Sequence, residues 1–181
     1  MSFARTLTLE KTTSRDILLV LGASFLICLS GKIAIPLWFT PVPIATQNSV
    51  ILILAALLGS RRGAAATFLF LFQGAMGLPV FSTSATGFAY FFGPTGGYLI
   101  GYLIASFVVG YIAERNKTLT QGFLAMAVGN LVIYVCGASY LATFVGSAKA
   151  FTLGIAPFLL GDLLKIIAGL NILKWAGWSR S

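Results

Sequence analysis

Six apolar runs follow one another along the chain, broken only by short polar, proline-rich or basic stretches. They are Ile17 to Ile35, Ile44 to Gly59, Gly63 to Leu78, Thr95 to Ala113, Gly122 to Phe144 and Thr152 to Lys174. In a bilayer core every backbone polar group must be satisfied within the chain, so runs of this kind fold as helices. About twenty residues cross a ~30 Å hydrocarbon layer, and six such spans fit within 181 residues with room for short connections. Only 9% of the residues are charged and 58% are hydrophobic, against roughly 25% charged in an ordinary soluble domain. That is too little charge to clothe a soluble surface, and too much hydrophobicity for a disordered chain. The expected fold is an all-α membrane protein of six transmembrane helices spanning residues 17–175, with an N-terminal segment 1–16 and a tail 176–181.

The first run, flanked by Arg15, has the look of a signal peptide. It is longer than a usual signal core, however, and no A-x-A site follows it. Leu26 and Ile27 before Cys28 make a poor lipoprotein site. It is therefore read as a retained span. Three prolines in Pro36–Pro43 predict an extended loop. The second and third runs have 16 residues each, or roughly 24 Å of helix. Such short spans call for tilt, a thinned bilayer or an aqueous cavity at one end.

The twelve bases sort by side. Arg5, Lys11, Arg15, Arg61, Arg62, Arg115, Lys117, Lys174 and Arg180 fall on the side of the termini. Lys32 and Lys149 fall on the other, and Lys165 lies inside the sixth run. Nine against two predicts cytoplasmic termini, a multi-pass protein of the cell membrane, and loops 36–43 and 80–92 facing outward. The base content then reports topology, and nucleic acid is not an expected partner. Trp38 and Tyr140 are expected at the outer interface, Trp175 and Trp178 at the inner one.

The sharpest site candidate is Gly161-Asp162-Leu163-Leu164-Lys165. Ionisable residues at that depth are expensive and usually functional. Three residues apart, Asp162 and Lys165 share one helix face, kept open by Gly161, Ala168 and Gly169. The pair serves either a polar ligand or an ion pair that locks helices together. Pro157, one turn earlier, frees a backbone carbonyl. Thr46-Gln47-Asn48 sets three polar side chains at a helix start, where Thr46 is also a natural cap. In Gly93-Pro94-Thr95-Gly96-Gly97-Tyr98 no Lys follows the glycines, so it is no phosphate loop; Gly97 and Gly101 read as helix packing. Phe88, Tyr90, Phe91, Phe92 and Tyr98 could roof an apolar ligand, while Asn130 and Gln73 are either ligand contacts or interhelical glue. Cys28 and Cys136 form no metal or disulfide framework, and the chain has no histidine.

Pro41-Val42-Pro43-Ile44, Gly77-Leu78-Pro79-Val80-Phe81, Phe92-Gly93-Pro94-Thr95-Gly96-Gly97-Tyr98 and Gly161-Asp162-Leu163-Leu164-Lys165 occur in this order and spacing. In them the chain resembles the BioY family, the biotin-specific S components of energy-coupling-factor transporters, over roughly residues 17–174. The resemblance implies a non-enzymatic subunit that captures biotin from outside. It implies a transmembrane coupling protein and two cytoplasmic ATPases as partners, and no cofactor. Asp162 and Lys165 then belong to the biotin site, with Gln47, Asn130, Tyr98 and Phe92 as further candidates. Ser24 and Cys28 take the places of the family's Ala-xxx-Ala coupling surface, and Gln47-Asn48 stands where Gln-Thr is usual. Arg61 and Arg62, at the cytoplasmic end of a helix pair, are the remaining coupling candidates. An S component for another vitamin, an intramembrane enzyme and an ion channel are the competing readings. One carboxylate without histidine makes a thin active site, and a single Asp-Lys face provides no ring of charges. With no GxxxxGK[ST] segment of its own, the chain needs a partner to couple ATP to uptake.

Overall fold

The computed structural model is mostly helical and describes residues 14–35, 37–82 and 86–178. Arg5, Lys11 and Arg180 of the basic side lie outside the described residues. The helices are α1 (Ser14–Ser30), α2 (Gln47–Leu58), α3 (Ser60–Ala75), α4 (Gly96–Arg115), α5 (Leu119–Val145), α6 (Ser147–Gly154) and α7 (Leu159–Trp175). They run up and down, so their termini gather at two ends. At one end Arg62 pairs with Asp16 at 2.9 Å, and Glu114 of α4 meets Ser60 of α3. At the other, Lys32 donates to the Pro79 carbonyl, and the Tyr98 hydroxyl donates to Gly154 O at 2.9 Å. Among the described residues the first end carries Arg15, Arg61, Arg62, Arg115, Lys117 and Lys174, the second Lys32 and Lys149.

Several expected boundaries shift, each for a local reason. The second run does not turn helical at Ile44. Pro43 lacks an N–H, and Ile44–Ala45 (β2) instead pairs antiparallel with Ala34–Ile35 (β1), Ala34 opposite Ala45. Thr46 does not cap α2 through its side chain; its hydroxyl bonds the Ser30 and Ile33 carbonyls at the end of α1, at 2.9 and 3.0 Å. Arg61 and Arg62 lie within the first turn of α3. Gly59, at φ 84°, reverses the chain between α2 and α3 in a single residue, a conformation glycine adopts without penalty. Two bases at a helix N-terminus oppose its dipole. Glu114 offsets this by accepting from the Ser60 amide at 2.7 Å and from its hydroxyl at 3.1 Å.

The sixth run is not one helix. It breaks between Gly154 and Leu159, next to Pro157, and the two pieces diverge by 43°. The segment 80–92, expected as a structured loop, carries a 3-10 turn at Phe88–Phe92. Its anchor is Phe81, which is fully buried, seated against Gly74 and stacked on Tyr90 at 4.8 Å between centroids. Trp175 is 95% exposed, as an interfacial aromatic would be, but Trp178 is buried against Gly122.

Close backbone approach sets the helix packing. A Cβ on Gly97 would lie 2.5 Å from the Cys136 carbonyl oxygen, and one on Gly101 3.1 Å from the Ile133 Cα, which matches the small-residue ridge expected on α4. A Cβ on Gly110 would lie 2.4 Å from the Ser60 amide nitrogen, so α4 also crosses the α2–α3 corner closely. Large apolar side chains cover much of the outside, among them Leu18, Phe25, Phe68, Phe107, Leu131 and Leu164. An apolar exterior of this extent fits a membrane location. Gly96–Arg115 and Leu119–Val145 are each long and apolar enough to cross a membrane, and the bent pair α6–α7 makes a third if read as one span.

Candidate functional site

Two adjoining hollows open near the end that carries the 36–43 and 80–92 loops. The first, about 350 Å³ including its mouth, is lined by Gln47, Phe81, Ser82, Tyr90, Thr95 and Leu99 among others. The second, about 340 Å³, is lined by Asn48, Ile133, Tyr134, Phe158, Asp162 and Lys165 among others. Val42, Pro43, Ala45, Tyr98 and Tyr102 line both, so the two hollows adjoin. The mixture of apolar walls with a few polar groups is typical of small-molecule sites.

Asp162 lines the second hollow and is 5% exposed. The helix break explains how a carboxylate is tolerated there. Because α7 starts at Leu159, Asp162 lies in its first turn, where the helix dipole favours negative charge. Its Oδ1 accepts from Lys165 Nζ at 3.0 Å and from Asn48 Nδ2 at 3.1 Å. Its Oδ2 accepts from the Tyr134 hydroxyl. Lys165 also donates to the Ala45 carbonyl at 2.8 Å, with a longer 3.5 Å contact to Asn48 Oδ1. The ion pair is therefore neutral overall and fully hydrogen-bonded, the condition under which buried charges persist. Four elements supply it: β2 through Ala45, α2 through Asn48, α5 through Tyr134 and α7 through Asp162 and Lys165.

The other expected site residues divide. Tyr98 lines both hollows. Its ring lies on the bare backbone of Gly137, where a Cβ would come within 2.2 Å of it. Gln47 lines the first hollow, but its amide is committed to structure. Nε2 donates to the Ile27 and Val80 carbonyls at 3.2 Å each, and Oε1 accepts from Ser82 at 3.2 Å. Phe92 is 64% exposed, packs on Phe88 and lines neither hollow. Asn130 is buried on α5 one turn from Tyr134, with Oδ1 unpartnered among the described residues, and it too lines neither hollow.

Ser24 and Cys28 face α3, Cys28 remaining partly exposed. Ser24 is fully buried, and both side chains donate to Gln73 Oε1 of α3, at 3.4 and 3.0 Å. Gln73 is thus interhelical glue. The open face of α1 carries Leu18, Leu21, Phe25 and Leu29, with Gly22, beside which a Cβ would meet nothing within 4 Å. Arg61 is exposed, while Arg62 is tied to Asp16. Sequence reasoning had no role for Tyr134 or Tyr102. Asn48 lines the second hollow and its neighbour Gln47 the first, as the roughly 100° step between successive helix residues allows.

The chain matches the model of the BioY family over residues 5–179. It is 38% identical over 167 residues to a biotin transporter BioY of Rhizobium etli, covering 86% of this chain and 89% of that one. It is also 38% identical over 144 residues to a biotin transporter BioY of Thermotoga maritima, covering 78% and 83%. A solved structure of the S-component for biotin from an ECF-type ABC transporter superposes with a TM-score of 0.79 at 27% identity, covering 90% of both chains. With the family model matched over residues 5–179, a matching fold and near full-length relatives, this chain belongs to the BioY family.

Proposed function

We propose that this protein is the membrane-embedded subunit that binds biotin and takes it up, without catalysis. The observation that carries the reading is the Asp162–Lys165–Asn48–Tyr134 cluster inside an otherwise apolar and aromatic hollow. Biotin offers two ureido N–H donors, a ureido carbonyl, a thioether ring and an acid tail. Asp162 accepts from an N–H, Asn48 can donate to the carbonyl, and the walls bury the ring. The relatives' names and the S-component fold support the same ligand.

In this reading the chain crosses the bilayer six times, with α6 and α7 forming one bent span. The end rich in arginine faces the cytoplasm, and the cleft opens outward. Energy comes from a transmembrane coupling protein and two ATPase subunits. The coupling protein docks on the open face of α1 around Leu18, Gly22 and Phe25, with Arg61 at its edge. Ser24 and Cys28 support that face from behind through Gln73.

The test is native mass spectrometry of the protein purified from cells. Biotin retained at one copy per chain is the expected result. Another vitamin in its place would reassign the substrate, and chemical turnover of any retained ligand would overturn the transport reading.

A further inference from the structure

The outer face of α4 carries a column of exposed side chains that lines neither hollow. Phe107, Tyr111 and Arg115 follow one another at four-residue spacing, which sets them on one side of the helix. The Phe107 and Tyr111 rings stack with 7° between their planes and 6.5 Å between centroids. The Arg115 guanidinium lies 4.6 Å from the Tyr111 ring centroid and donates from Nη2 to the Tyr111 hydroxyl at 2.7 Å. Both rings are half-exposed, and Ile104 continues the same exposed stripe away from Arg115.

Arg115 has no counter-ion among the described residues. The acids there are engaged elsewhere: Asp16 with Arg62, Asp162 with Lys165, and Glu114 with Ser60. Its place in the last turn of α4 complements the helix dipole. The side chain that bonds a carbonyl near that helix end, however, is Gln121 of α5, whose Nε2 donates to Ile112 O at 3.3 Å. A guanidinium has five N–H donors in a rigid plane, a fork that matches a phosphate in two bonds. Tyr111 takes one of its groups and leaves the rest to face outward. Lys117, exposed just past the helix, adds a second base with no carboxylate partner among the described residues.

The length of the stripe points to what covers it. From Ile104 to Arg115 the helix rises roughly 16 Å, close to half of a ~30 Å hydrocarbon core. One lipid leaflet therefore spans the column, with the acyl chain on Ile104, Phe107 and Tyr111 and the headgroup level with Arg115. A zwitterionic headgroup brings its own cation to the phosphate. An anionic one leaves its negative charge to Arg115 and Lys117. We infer that the Phe107–Tyr111–Arg115 column binds an anionic phospholipid of the leaflet at the arginine-rich end, phosphate on the Arg115 guanidinium and acyl chain along the two rings. This site does not depend on the identity of the transported ligand.

The test is native mass spectrometry of the full chain in detergent, titrated with dioleoyl phosphatidylglycerol or with dioleoyl phosphatidylcholine, which has the same acyl chains. Wild type is compared with Arg115→Gln, Tyr111→Leu and Lys149→Gln, the last an exposed base at the opposite end. All three positions are exposed, so the variants should keep the wild-type melting temperature without added lipid. One base near the membrane surface is worth about fivefold in anionic-lipid affinity. Wild type and Lys149→Gln should prefer phosphatidylglycerol by about fivefold or more. Arg115→Gln should lose that preference, and Tyr111→Leu, which keeps the charge but removes its platform, should shrink it. Equal affinity of wild type for the two lipids, or an undiminished preference in Arg115→Gln or Tyr111→Leu, overturns the site. So does an equal loss in Lys149→Gln, which would make net charge alone responsible. Wild-type lipid preference in Arg115→Gln together with reduced uptake in cells would assign the column to a protein partner and also overturn the lipid site.

Discussion

The Tyr134 hydroxyl of α5 donates to the Asp162 carboxylate of α7, joining the two helices where both residues line the second hollow. It also leaves Oδ1 free to take Lys165 and Asn48. Tyr134→Phe removes that donor and nothing else. Hydrogen bonds to charged groups contribute about 1.5–3 kcal/mol, part of which is recovered by rearrangement. Biotin affinity should fall about five- to thirtyfold, with the protein still monodisperse by size exclusion.

Neighbours Gln47 and Asn48 should separate cleanly. Asn48→Ala removes the group proposed to meet the ligand and one donor to Asp162 Oδ1, so binding should weaken about tenfold with a smaller loss of thermal stability than Gln47→Ala causes. Gln47→Ala strands the Ile27 and Val80 carbonyls and Ser82. Each buried unsatisfied group costs about 1–3 kcal/mol, so the melting temperature in detergent should drop by several degrees. Equal melting temperatures for the two variants would contradict the assignment.

Much of the site was legible because charge inside an apolar run is rare. Asp162 and Lys165 stand out for that reason alone, and the Pro-rich and Gly-Pro segments mark the loops beside the cleft. Tyr134 was not legible: a tyrosine in an apolar helix looks like any interfacial aromatic until its partner is known. Ser24 and Cys28 show a related limit. Small residues announce a close neighbour, but sequence does not say whether that neighbour is another protein or α3. The break after Gly154 was signalled by Pro157, yet only its consequence, a helix start directly before Asp162, reveals why the carboxylate is tolerated.

Gly137 is the seat of the Tyr98 ring, and a Cβ there would come within 2.2 Å of it. Gly137→Ala should push Tyr98 out of the cleft wall and break its bond to Gly154. Overpacking of this kind costs about 1–3 kcal/mol. The expected outcome is weaker biotin binding together with a lower melting temperature, measured on the same preparation.

The two faces of α1 should respond differently to bulk. Ser24→Leu inserts a large side chain into the packed α1–α3 seam and should destabilise the isolated subunit by about 1–3 kcal/mol. Gly22→Leu adds bulk where no atom lies within 4 Å, so biotin binding by the isolated subunit should be unchanged. Uptake in cells carrying the coupling protein and ATPases should nevertheless fall. Normal uptake by Gly22→Leu would remove that face from the coupling surface.

The most direct test of the site is a calorimetric titration of biotin into purified wild type and Asp162→Asn. Asparagine keeps the size but loses the charge, leaving Lys165 without its counter-ion and the ureido N–H without its strong acceptor. Wild type should saturate at one biotin per chain, and Asp162→Asn should bind at least about tenfold more weakly while eluting as a folded protein. Equal affinity in the two proteins would contradict the account, because the Asp162 cluster would then be a structural pair and the ligand would lie elsewhere.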